Sequence, residues 1–358
     1  MNKILNFRIV SDNFKDELQR AKNGEESSLP FVINQISLAS RLEENDIFQV
    51  LVIGGSISKK AILKKTSNGA VIIKKYDQKS INFSSEEEFL EFIEQELEDD
   101  ISILALNFAY AIKPVFENNK LDGILLKTSR ESGFHGFAGK KIGEEIENYI
   151  FKKRKKKIKV SVANDTICLL LSGLTKYPWE KLVGGVDGTG VNFAMFLSKN
   201  KLVNLESANF DKFPCSEAGK IIDKESSFVG RALFEKETAG EHLYKHFNLK
   251  IKSRGLKYPK ITSTEELNDI SLKNIPQISE IAKDLIKRSA ELVACLIAGI
   301  SIFKGADTVF NMEGSLFWKA NNYKETVEET VKMLDPEHKV EFVEIEEAGI
   351  LGAAKLVA

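Results

Sequence analysis

The sequence predicts an α/β protein of two related halves, each a mixed β-sheet flanked by helices, and three observations carry that expectation. Apolar, β-branched runs alternate with amphipathic segments along the chain. Three of the runs stop at a glycine turn, at Gly54, Gly188 and Gly314. At 358 residues the chain is also too long for one small core, so two domains are expected. A strand ending in a glycine turn brings backbone N–H groups close to phosphate, so the repeated unit suits two halves clasping a nucleotide.

The elements follow in order. Residues 17–21, with Ser27-Ser28-Leu29-Pro30 after them, suggest an opening helix that ends in a turn. The apolar run 48–53 is a strand entering a tight turn at Gly54-Gly55. Residues 61–65 and 71–75 continue as strands around Ser67-Asn68-Gly69, a hairpin signal. Residues 86–97 have helical spacing, with Phe89, Leu90, Phe92, Ile93 and Leu97 on one face. Strands are expected at 101–109 and 123–126, a short helix at 142–151, and a buried strand at 160–163 that delivers Asn164 and Asp165. Residues 182–186 run into the Gly188 loop and 193–197 return as the partner strand. Long helices are expected at 229–247 and 278–302, a strand at 308–312 and a helix at 323–334.

Composition narrows the function. Lys+Arg number 51 against 52 Asp+Glu, a balance that argues against a general polyanion binder. Residues 1–10 show no cationic start followed by an apolar run, so no signal peptide is expected. No apolar stretch approaches the roughly 20 residues of a membrane helix. Cys168, Cys215 and Cys295 form no paired spacing, which fits structural thiols in a reducing cytoplasm. The basic run 152–157 reads either as a nucleic-acid patch or as a solvated helix end. Overall neutrality favours the helix end.

Asp165 closes an apolar strand, where a carboxylate can be partly desolvated and aimed at a substrate hydroxyl whose proton must leave. Asn164 can donate to and accept from a second hydroxyl. The competing reading is an Asn-Asp cap on the segment beginning at Thr166. Gly188-Thr189-Gly190 lets N–H groups approach phosphate, against the alternative of a plain hairpin turn. Glu206 and Glu235 are surface acids by default, but in a cleft they would accept from adjacent hydroxyls of a polyol. His242 and His246 have the i,i+4 spacing of a zinc pair without the intervening glutamate of a metalloprotease.

These residues together resemble the hexokinase family, the ATP-dependent sugar kinases of the actin-like fold. Val162-Ala163-Asn164-Asp165-Thr166 resembles the segment whose aspartate is the family's catalytic base. Gly188-Thr189-Gly190-Val191-Asn192 is similar to the second phosphate motif, whose asparagine also touches sugar. Asn204-Leu205-Glu206 and the helix Leu233-Phe234-Glu235-Lys236, with Gly240 after it, resemble the family's sugar contacts. Met312-Glu313-Gly314-Ser315 is similar to the adenosine motif, 347–354 to the final helix, and Ser27-Ser28-Leu29-Pro30 to the N-terminal segment.

The resemblance implies a two-lobed α/β fold of the actin type with a cleft between the lobes. Residues 47–163 would form the small lobe and 1–46 with 164–358 the large one. It implies ATP and Mg²⁺, with Asp165 as base and Asn164, Asp165, Asn192, Glu206, Glu235, Ser129 and Arg130 on the sugar. Nucleotide contacts would come from Gly54, Gly55, Ser56, Lys59, Asp187, Gly188, Thr189, Gly190, Gly314 and Ser315. Closure of the lobes would exclude water.

The chain departs from the family pattern at named positions. Val52 stands where the family's first phosphate motif has an aspartate that helps organise Mg²⁺, and the following run is Gly54-Gly55-Ser56-Ile57-Ser58-Lys59. Ser129-Arg130 replaces a Thr-Lys sugar contact, and Ala111-Ile112-Lys113 replaces a Ser-Phe-Pro turn. Asp187 precedes the second loop where the family has an apolar residue. It is a candidate to replace the acid missing at Val52, so that Asp187→Asn would abolish Mg-ATP binding.

The reading is therefore a cytoplasmic kinase of glucose or a related hexose. It is expected to act as a monomer or homodimer with no nucleic-acid or membrane partner, Mg²⁺ being held mainly through ATP. The rival is a sugar-binding sensor that has lost phosphotransfer. A kinase acting on a carboxylate substrate would have to place an anion against two acids, and the cysteine-rich zinc signature of repressor-type sugar kinases is absent.

Overall fold

The computed structural model describes residues 2–54, 57–67, 69–79, 82–126 and 134–358. The strands, in chain order, are β1 (Val32–Gln35), β2 (Ile47–Ile53), β3 (Ile57–Thr66), β4 (Gly69–Lys79), β5 (Ile103–Phe108), β6 (Ile112–Glu117), β7 (Lys120–Leu125), β8 (Lys159–Ala163), β9 (Leu182–Asp187), β10 (Val191–Ser198), β11 (Lys201–Asn204), β12 (Thr308–Glu313) and β13 (Val340–Val343). They form a six-stranded sheet ordered β1-β11-β10-β9-β12-β13, a five-stranded sheet ordered β4-β3-β2-β5-β8, and the hairpin β6-β7. Packing divides the chain into two compact units. One is Met1–Phe31, Gly185–Phe193 and Leu205–Glu344; the other is Val32–Gly184, Ala194–Asn204 and Ile345–Ala358.

In the five-stranded sheet β2 is central, antiparallel to β3 and parallel to β5. Its Phe48, Val50, Leu51 and Ile53 are all buried, which is the near-continuous apolar run that a strand covered on both faces requires. The helices Glu86–Glu96 and Ile142–Arg154 bring Phe89, Leu90 and Ile93, and Ile142, Ile146 and Ile150, into the same core. Phe83, Phe89, Phe108 and Phe134 meet there at tilted or edge-on angles. Ser85 caps the first of these helices by accepting from Glu88 N–H. β8 then leads directly to Asn164.

The other unit is built on the helix Ile278–Lys304, buried over most of its length and ended by Gly305 in the left-handed conformation. The opening helix is Asn2–Lys22, much longer than the expected 17–21, and the Glu17 side chain ties the Ser27-Ser28 turn back to it.

Several expectations need correction. The long helix expected at 229–247 is two helices, Leu233–Thr238 and Gly240–Ser253, broken at an extended Ala239. The break has a cause outside the helix. Gly240 backs onto the second glycine loop, where a Cβ would lie 2.7 Å from the Gly188 carbonyl oxygen. The strand expected at 123–126 is present as β7, but its partner β6 was not expected; the two are joined through Asn118 and Asn119, both left-handed, a turn that suits asparagine. The helix Thr264–Leu272 was also not foreseen.

The basic run behaves as a helix end. Lys152, Lys153 and Arg154 lie in the last turn, and Arg154 binds Glu94 and Asp99. Among the described residues no helix is long and apolar enough to cross a membrane.

Candidate active site

Asn164 and Asp165 stand where β8 gives way to the helix Asp165–Ser172. Asn164 is the cap: its Oδ1 accepts from Thr166 N–H at 3.1 Å, and Asn204 Nδ2 donates to the same oxygen at 3.3 Å. The capping interpretation thus holds for Asn164, and Asn204, at the end of β11, fixes its amide. Asp165 occupies the first helical position, with Oδ1 accepting from Thr166 N–H at 2.7 Å. The residue is half-buried and its neighbours crowd its carboxyl. That crowding wins over the Thr166 hydrogen bonds and lifts the carboxyl above its ordinary pKa of 3.8. A carboxylate with a raised pKa is a better proton acceptor, which is what a general base needs.

Gly188, Thr189 and Gly190 belong to the other unit, as the turn between β9 and β10. Gly188 N–H donates to the Gly190 carbonyl at 3.0 Å, closing the turn. From the helical side, Gly240 N–H donates to the Gly188 carbonyl at 2.8 Å and Glu241 N–H to the Thr189 carbonyl at 3.1 Å. On the other flank Gly314, at φ 130°, packs so closely on the Asp187 carbonyl that any side chain there would collide with it. Gly188 and Gly314 are thus brought together, Thr189 is exposed at the tip, and Ser315 is exposed at the start of the helix Ser315–Lys319. A close-packed backbone with an exposed hydroxyl fits a chain of phosphates.

The structure also brings the loop to one of the expected sugar acids. Glu235 is 8% exposed, and a Cβ on Gly190 would lie 2.7 Å from its Oε2. Its helix, Leu233–Thr238, runs straight into Ala239 and Gly240, so acid and loop share one scaffold.

Asn192 Oδ1 accepts from Ser207 N–H at 3.2 Å and Ser207 hydroxyl at 3.4 Å, which aims its amide. Glu206, just before, sits at φ 53°, a strained conformation for glutamate. Asn209 holds the strain. Its Nδ2 donates to the Glu206 carbonyl at 3.2 Å, and its Oδ1 accepts from Ala232 N–H at 3.3 Å at the head of the Glu235 helix. Sequence reasoning missed Asn209, whose type and spacing carry no signal by themselves.

Asp187 is placed differently from expectation. The Asp187 side chain is turned into the core with no accessible surface. An acid standing in for the one missing at Val52 would have to present an oxygen to a hydrated cation, and this one does not. Lys59, in β3 opposite Val52, binds Glu347 at 2.8 Å, and Lys75 reaches the other oxygen of the same carboxylate at 2.5 Å. Gly54 ends β2. Gly55, Ser56, Ser129 and Arg130 lie outside the described residues.

Of the histidine pair, His246 is buried, and its Nε2 lies 2.8 Å from the Lys236 carbonyl. Among the described residues no group of three or more His, Cys, Asp or Glu is placed to hold a metal ion. Glu237, overlooked in the sequence, is a buried node that binds Arg288 and the Ser216 cap.

A family model described as hexokinase matches residues 245–358. A hexokinase of Emericella nidulans is 22% identical over 88% of this chain and 78% of its own. Hexokinase-7 of Oryza sativa subsp. japonica is 24% identical over 71% of this chain and 68% of its own. Among solved structures, a Schistosoma mansoni hexokinase complexed with glucose superimposes with a TM-score of 0.80 at 18% identity, over 99% of this chain and 95% of that one. A hexokinase of the ROK type from Thermus thermophilus reaches 0.58 at 15% identity, over 87% of this chain and 98% of that one. The C-terminal third of the chain thus matches the hexokinase family model, and the chain as a whole has the fold of the solved hexokinases.

Proposed function

We propose that the chain is a cytoplasmic ATP-dependent kinase that phosphorylates the primary 6-hydroxyl of glucose or a related hexose. The observation that carries this reading is the Glu235 carboxylate packed on Gly190. An acid suited to polyol hydroxyls and a loop suited to phosphate are built on one continuous scaffold. A relative of the same fold bound to glucose supports the substrate class.

In this reading residues 47–163 form the small lobe and 1–46 with 164–358 the large one. Asp165 takes the proton of the attacking hydroxyl as the sugar oxygen bonds to the terminal phosphorus. The bond from that phosphorus to the bridging oxygen breaks, and ADP leaves. Asn164, Asn192, Glu206 and Glu235 orient the ring, and Ser129 and Arg130 complete the sugar contacts. Gly54, Gly55, Ser56, Lys59, Gly188, Thr189, Gly190, Gly314 and Ser315 hold the nucleotide. Mg²⁺ carried on the ATP phosphates would supply charge neutralisation there.

A coupled ADP-release assay over a panel of hexoses, with ATP and Mg²⁺, tests the proposal. Hexose-dependent release supports it. Hexose binding without release would support the sensor instead, the reading favoured by Val52.

A further inference from the structure

Buried polar groups in folded proteins are nearly always paired, and an exception asks for a reason. Asp187 is one. It has no accessible surface, and neither carboxyl oxygen makes a hydrogen bond of ordinary length and angle. The group that faces it is the hydroxyl of Tyr323, also fully buried, from the helix Tyr323–Leu334.

The number of protons available sets which hydroxyl donates to which. Tyr323 Oη lies 2.9 Å from Ser289 Oγ, and Ser289 donates to the Thr238 carbonyl at 2.6 Å. Serine has a single hydroxyl proton. With that proton on Thr238, Ser289 can only accept, so Tyr323 must donate to it. Tyr323 then turns lone pairs toward Asp187. An ionised carboxylate facing those lone pairs is repelled, whereas a protonated one donates to them. The arrangement that suits every member runs from Asp187 through Tyr323 and Ser289 to the Thr238 carbonyl.

The far end returns to the start. Thr238 ends the Glu235 helix, and two residues on Gly240 N–H holds the carbonyl of Gly188, the neighbour of Asp187. We propose that Asp187 is a positioning residue. Held as a neutral acid, it heads a one-way hydrogen-bond chain that sets the second glycine loop against the Glu235 helix, and loss of its proton reverses the Tyr323 hydroxyl and loosens the loop. Burial pushes the Asp187 pKa up to about 7 with the Tyr323 hydroxyl opposing, so the change falls near neutrality. Among the described residues Tyr323 is the titratable group that acts on it.

The use of the loop for a phosphoryl donor rests on the kinase reading; the chain of protons does not. The test compares wild type, Asp187→Asn and Tyr323→Phe as full chains, by thermal midpoint and by ATP affinity with Mg²⁺, at about pH 5 and about pH 8.5. The native pKa lies above the ordinary 3.8, so the native state favours the protonated form and stability is lost as pH rises toward about 7. Asparagine keeps a donor for Tyr323 and cannot ionise. Its midpoint should therefore gain on wild type at the higher pH, and its ATP affinity should stay level where the wild type weakens several-fold. Asp187→Asn tracking wild type at both pH values would overturn the proposal. So would loss of Mg-ATP binding at low pH, which would restore the cation role.

If Asp187→Asn does not fold, Tyr323→Phe decides alone. An unchanged pH dependence of its midpoint refutes the chain, and a changed one supports it. Failure of every form to bind ATP would count against the kinase reading, while the midpoints still judge the proton chain.

Discussion

Gly190→Ala should weaken hexose binding while leaving the fold nearly as stable. The added Cβ lies 2.7 Å from Glu235 Oε2, well inside the roughly 3.5 Å at which heavy atoms rest, so the carboxylate must move by about 0.5–1 Å. Gly190 is not in the left-handed region, so alanine brings no dihedral strain. The obstructing atom ends a flexible side chain, which can yield at a cost under about 1 kcal/mol. Glu235 is only 8% exposed, however, and a displaced carboxylate would miss the sugar hydroxyl it is proposed to hold. A hydrogen bond to a charged group contributes about 1.5–3 kcal/mol, which converts to roughly 10- to 100-fold in hexose affinity. Calorimetric titration with glucose, read beside the thermal midpoint, measures both quantities. Unchanged sugar affinity together with a lowered midpoint would mean that Glu235 packs the loop and does not hold substrate.

Asn209→Ala removes the bridge between the Glu206 turn and the Ala232 N–H. It should cost about 1–2 kcal/mol in chemical denaturation and raise the hexose KM more than it lowers kcat. The acid limb of kcat should sit above the ordinary carboxylate value of 3.8, because burial raises Asp165 and the base must be ionised to work; a limb at or below that value would count against it. Glu347 is crowded by burial, but the bonds from Lys59 and Lys75 hold its pKa below 4.5. A lowered pKa gives stability that is present above 4.5 and lost as pH falls through the native value. The midpoint gap between wild type and Glu347→Gln should therefore close on acidification and shrink in high salt.

The parts of the fold that are plain in the sequence are those whose period decides the matter locally. β2 is an apolar run with Gly54 at its end, and Tyr323–Leu334 carries an unbroken helical face; both match expectation closely. The helix expected across 229–247 fails for a reason that no window around it contains. Gly240 is pressed against Gly188, some fifty residues earlier, and the chain must extend at Ala239 to get there. β6 hides because Pro114 and flanking charges weaken its strand signal, leaving the Asn118-Asn119 pair as the clue to its pairing with β7.

Among the candidate site residues, motif order singles out Asn164, Asp165, Gly188 and Glu235, and each is held by its own element. Asp187 shows the limit of that approach. Its place beside the loop is read correctly, but whether its carboxyl faces solvent or Tyr323 depends on packing from a helix more than a hundred residues away.

The central claim is that Asp165 removes a proton from a hexose hydroxyl, and one paired measurement tests it. Glucose 6-phosphate formation and glucose binding should be compared in wild type and Asp165→Ala under saturating ATP and Mg²⁺. The account predicts product from wild type, a fall in turnover on the order of 10² or more in the variant, and little change in glucose affinity. Near-normal turnover in the variant, or no product from wild type with any hexose, would contradict it.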